Sequence, residues 1–149
     1  MRLRLTLGLV LAGCLSSGAA SAASPAGLWW TQDHDGVIAI APCAEGLCGR
    51  IVGQAEPVGK DGRRPVDSHG VPQCGLRFLR GTPTADGRFG GFVTDPETGR
   101  DWHCTFWVGA SGRMHLRGYG MVPLFGETQT WAPFYGSVTA DCTITDRGG

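Results

Sequence analysis

No amphipathic helical period persists along this chain over a helix-length window, and that single feature does most to limit what it can fold into. Short runs rich in β-branched and aromatic residues recur instead. They predict strands at 27–32 (GLWWTQ), 36–41, 47–53, 74–80, 88–94, 101–108 (DWHCTFWV), 113–120, 126–131 and 135–144. The breaks between them are turn chemistry: "DHDG", "TADG", "DPETG" and "GASG". Short, regular connections of this kind predict an all-β fold, an antiparallel up-and-down meander closing into a barrel, with a β-sandwich as runner-up. One connection breaks the rhythm. Residues 54–73 hold three prolines and few apolar side chains, and on a barrel so long a loop is expected to cover one mouth or to be a disordered insertion.

The N-terminus reads as an export signal. Arg2 and Arg4 precede an apolar core from Leu5 to Leu15, and small residues end in Ala20-Ser21-Ala22. Cleavage after Ala22 would release a soluble protein. Alternatively "LAGC" resembles a bacterial lipobox, in which case residues 1–13 are removed and Cys14 carries the lipid. Residues 23–26 then form a linker, 27–145 a single barrel domain and 146–149 a tail. Removing Arg2 and Arg4 from 13 basic residues leaves 11 against 13 acidic ones, a net charge of about −2. So weak a charge argues against nucleic acid and against electrostatic docking on membranes. The expected location is the periplasm or the exterior, with a lipid anchor as the one membrane attachment.

An exported chain meets an oxidising compartment, which decides how its cysteines are read. Cys43 and Cys48 flank Ala44 to Leu47 between two apolar runs, the pattern of a hairpin with a four-residue loop. Neighbours across such a ladder lie within disulfide reach, so the pair is expected to be a staple. Cys142 is expected to reach back to Cys104 or Cys74, with Cys104–Cys142 the pairing preferred. Zinc is the sharper alternative, but His34, His69, His103 and His115 form no ligand spacing with the cysteines. No metal and no cofactor are expected.

Taken in order, "GLWWT", "GVIAI", "LCGRIV", "CGL", "FGGFVTDPETG", "LRGY" and "GETQTW" resemble an uncharacterised bacterial envelope family, domain of unknown function 2147, from Gly27 to about Trp131. The resemblance implies a small exported protein with a lipocalin-like barrel and no established activity. Gly27-Leu28-Trp29 is also similar to the G-x-W that opens many lipocalins. That likeness implies that Trp29 packs across the closed end of the barrel with Arg117 stacked on it.

Ordinary core packing would account for the remaining aromatics, but on a barrel one alternating set must point inward. Trp102 and Phe106 share one face of their strand, and His103, Thr105 and Trp107 share the other. The candidate ligand-binding residues are Trp30, Trp102, Phe106, Trp107, Tyr119 and Trp131. The leading expectation is an exported barrel binding a small apolar or amphipathic molecule. The alternative is an envelope protein-interaction module with a filled barrel and an apolar patch outside. Catalysis is weakly supported: there is no G-x-S-x-G, the carboxylates sit mostly in turns, and the one nameable dyad is Cys74 with His69.

Overall fold

The computed structural model describes residues 22–120 and 126–149; the expected export signal and Cys14 lie outside them. Eight strands run in sequence: β1 Gly27–Trp30, β2 Gly36–Cys43, β3 Gly46–Gln54, β4 Arg77–Pro83, β5 Phe89–Thr94, β6 Asp101–Val108, β7 Met114–Tyr119 and β8 Glu127–Pro133. Each pairs antiparallel with the next, and β8 closes on β1 through Trp29 opposite Pro133 and Trp30 opposite Ala132. The meander is a closed barrel, not a sandwich, and no helix occurs among the described residues. Its hairpins turn near where the sequence placed them, but the β2–β3 loop is corrected from four residues to two, Ala44 and Glu45, because pairing continues to Cys43 opposite Gly46. Gly99 in "DPETG" adopts φ 70° while Asp95 accepts backbone N–H bonds from Glu97 and Thr98, a geometry that favours glycine.

Alternation along the strands separates two surfaces. Ile38, Ile40, Leu47, Ile51, Leu79, Cys104, Phe106, Met114, Leu116 and Trp131 form one buried cluster inside the barrel. Arg50, Thr105, Arg117, Thr128 and Thr130 occupy the alternate positions of the same ladders. The outward positions also carry apolar residues, among them Trp30, Val37 and Val52, which pack into a second cluster. Outer aromatics are covered by neighbours. The Arg88 guanidinium lies 4.0 Å from the Trp107 ring centre, and that ring stacks on His115. The adjacent strands β4 and β5 come so close that a Cβ on Gly91 would lie 2.0 Å from the Arg80 carbonyl oxygen, so this position admits no side chain.

The C-terminal region corrects the expected ninth barrel strand. Residues 135–144 are not one strand; β9 (Ser137–Val138) and β10 (Ile144–Asp146) form a two-stranded hairpin of their own. This hairpin builds a second, smaller core outside the barrel: Val138 and Ile144 pack with Trp30, Val37 and Phe134. Just before β1, Pro25 is buried and its carbonyl accepts a 2.8 Å hydrogen bond from Trp29 Nε1.

Disulfides join Cys43 to Cys48, as expected, and Cys74 to Cys142. The expected Cys104–Cys142 bridge is therefore corrected, and the reason is geometric. Cys104 lies on the inner face of β6, in register with Gly91 and Gly118, while Cys142 belongs to the hairpin packed outside. The barrel wall stands between them.

Candidate ligand cavity

The interior is filled at one end only. Near the β2–β3, β4–β5 and β6–β7 turns, Phe106 stacks on Phe89 at 5.4 Å, and Leu47, Leu79 and Met114 complete a packed plug. Toward the other end a cavity of about 720 Å³ remains, reaching the rim made by the β1–β2, β3–β4 and β5–β6 loops. Its floor is apolar, formed by Ile38, Ile51, Phe78, Leu116 and Trp131, with Trp102 higher on the wall. A volume of this size matches that of ordinary small-molecule sites.

Two irregularities shape the cavity. On β4, Arg77 pairs with Arg50 and Leu79 with Gly49, so Phe78 is the extra residue of a bulge and adds a ring to the floor. On β3, Gly53 pairs with Val37 and Ile51 with Ile38, which leaves Val52 as the extra residue. The inward alternation is thereby shifted by one position, and Gln54, opposite Gly36, lines the cavity instead of facing out. Gln54 is only 8 % exposed, and its side-chain amide has no hydrogen-bond partner among the described residues. No fully buried side-chain nitrogen or oxygen among the described residues lacks a partner, so this amide is open to the cavity that Gln54 lines.

The other rim amides are engaged. Gln129 Oε1 accepts from Trp131 Nε1 at 2.8 Å, and Gln73 Nε2 donates to the carbonyls of Val66 and Pro96. Five carboxylates line the upper wall: Asp33, Asp35, Asp95, Glu97 and Glu127. Burial pushes the Asp95 carboxyl upward, but the backbone N–H groups of Glu97 and Thr98 outweigh it and hold it below its ordinary value. Asp35 accepts a bond from Thr31 Oγ1. Asp33, Glu97 and Glu127 have no side-chain partner among the described residues.

The sequence-predicted candidates divide accordingly. Trp102 and Trp131 line the cavity. Tyr119 touches its rim, but its ring stacks on His103 outside the wall at 5.8 Å. Phe106 faces inward but belongs to the plug. Trp107 is on the outer face. Trp30 is outside too, 5.1 Å from Phe134 in the second core and under the Arg147 guanidinium. The expected stack of Arg117 on Trp29 is absent for the same reason: Trp29 faces in, opposite Ile38, whereas Arg117 faces out and donates to Thr128 Oγ1 at 2.9 Å. The long loop does not cap the mouth. Of residues 54–73 only Gln54 and Gln73, its two ends, line the cavity, and the rest is tied down by its own turns and by an Arg64–Asp141 ion pair of 2.9 Å. Sequence reading missed Gln54, Phe78 and the rim carboxylates. Only the bulges bring the first two inward, and no composition signal announces a bulge.

The cysteines among the described residues lie away from the cavity lining. Cys74 is committed to its disulfide, which removes the Cys74–His69 dyad as a nucleophile. Cys43, Glu45 and Cys48 cluster closely, but both sulfurs are bonded to one another. The free thiol among the described residues, Cys104, is inside the barrel wall, where burial pushes it up to about 12. It is expected to resist iodoacetamide in the folded protein and to take one label after unfolding. Labelling of the native state at the rate of a free thiol, read by mass spectrometry, would contradict its inward position.

Compared with known proteins, the chain matches the model of the family DUF2147, uncharacterized protein conserved in bacteria, over residues 27–132. No curated protein and no solved structure matches it.

Proposed function

This chain belongs to the uncharacterised bacterial family DUF2147, and from its own geometry we propose that it is a small-molecule-binding barrel of the cell envelope, taking an apolar or amphipathic ligand into its open end. The observation that carries the reading is the cavity of about 720 Å³ floored by Phe78, Trp131 and aliphatic side chains. A void of this kind surrenders the packing that a filled core would have, and an apolar guest recovers it by burial. The envelope is supported by the signal-like N-terminus and by two disulfides, which persist in oxidising compartments. The rival interaction module required a filled barrel, and the cavity speaks against it.

Native mass spectrometry of protein purified from its own envelope fraction tests the reading. The expected result is a retained small molecule that is released on unfolding. A bare chain that also fails to quench Trp102 and Trp131 when titrated with an uncharged apolar fluorophore would overturn it.

A further inference from the structure

Resting on that reading, we infer that the cavity is built for a cationic amphiphile, an organic ammonium with an apolar tail. The argument begins with a one-sided charge distribution. Five carboxylates line the upper wall, and no lysine, arginine or histidine is among the lining residues. Every one of them lies above the apolar floor, so a molecule with its tail on Trp131 and Phe78 places its other end among acidic oxygens. Asp33, Glu97 and Glu127 are not neutralised by any partner among the described residues. Arg100, beside this rim, turns onto the face of Trp102, 4.1 Å from the ring centre, and forms no ion pair among the described residues.

A second observation is independent of charge. Gln54, more than nine-tenths buried and turned inward by the β3 bulge, offers an unpartnered amide between the floor and the rim. Its carbonyl oxygen can accept from an ammonium N–H at the depth where a head group would sit. An anionic head group would meet the same amide but would be repelled by the five carboxylates around the mouth.

The spacing also bears on which cation. Among the described residues, no three of these carboxylates bring their oxygens within 4.8 Å of one another. They are spread around a mouth rather than converging on a point, which suits a diffuse organic cation better than a bare divalent ion, whose ligands must gather at bonding distance.

Three probes of equal chain length separate the outcomes: octylamine, octanoic acid and 1-octanol, titrated at neutral pH against the full exported chain and followed by tryptophan fluorescence and thermal shift. Octylamine is expected to bind about tenfold more tightly than 1-octanol, and octanoic acid more weakly than either. The preference should shrink as salt is raised, because screening acts on the charge and not on the tail. A double variant, Asp33→Asn with Glu127→Gln, is expected to reduce the preference for octylamine over 1-octanol, with Asp35, Asp95 and Glu97 keeping part of it. If amine and alcohol bind equally, or if the acid binds best, the charge inference fails and the binding barrel stands. An amine preference undiminished in the double variant would overturn the role given to these carboxylates. If none of the three changes fluorescence or melting, it is the binding reading itself that falls.

Discussion

Replacing Cys74 and Cys142 together by alanine is expected to lower the free energy of unfolding by about 4 kcal/mol, whereas the same treatment of Cys43 and Cys48 should cost about 2 kcal/mol. The difference follows from what each bridge removes from the unfolded chain. Cys43–Cys48 spans a sequence separation of 5 and closes a loop that the β2–β3 hairpin nearly closes already. Cys74–Cys142 spans 68 and ties the start of the β4 approach to the C-terminal hairpin. That hairpin has little else to hold it. Its own core is small, its Arg64–Asp141 ion pair is exposed, and the other bond that anchors it at this point is Gln54 N–H to the Cys142 carbonyl at 2.8 Å. Exposed ion pairs contribute little, so the covalent link dominates. In thermal melts the longer bridge should be worth on the order of 15 °C in Tm. Equal losses for the two pairs would show that loop length does not govern their contribution. Because Cys142 is bonded to the end of β3 beside Gln54, the same variant is also the one to examine for loosened ligand uptake.

What the sequence disclosed, and what it withheld, follow from how local each feature is. Strand positions and turns were legible because alternation and Gly, Pro and Asp chemistry act within a few residues: "DPETG" and "CAEGLC" turn the chain wherever they occur. Parity was legible along a single strand as well, so Trp102 and Phe106 on one face of β6, with Trp107 on the other, agree with the ladder. The same parity, carried one step further, puts Cys104 inward with Trp102 and Phe106, which is why it cannot meet Cys142 in the outer hairpin. Which face is the inner one needs register between strands, and register is a long-range property. Arg117 and Trp29 were paired by likeness to another barrel, yet the ladder sets them on opposite sides of the wall. The candidate site was the least legible part. Its two shaping residues, Phe78 and Gln54, owe their direction to bulges that exist only once neighbouring strands are aligned. The open volume itself depends on how far the side chains of eight strands fall short of filling the interior.

That shortfall makes the second large effect local to one end. Phe106→Ala is expected to cost about 3–5 kcal/mol, and Trp102→Ala about 1 kcal/mol or less, although both side chains point inward from the same strand. Phe106 is fully buried, stacks on Phe89 at 5.4 Å, and sits so close to the opposite wall that a Cβ on Gly81 would come within 2.5 Å of its ring. Nothing is free to collapse into the space it would leave, so the lost burial and the new void add together. Trp102 already borders a cavity, and its ring is partly exposed under Arg100, so truncation there mainly enlarges a space that solvent reaches. Ligand response should run the other way: removing Trp102 should weaken apolar probe binding, while any Phe106→Ala protein that remains folded should keep it. Denaturant titration supplies the first comparison and probe fluorescence the second. A Trp102 variant as unstable as Phe106→Ala would mean that the open end is packed like the plug, and the division of this barrel into a structural half and a binding half would not hold.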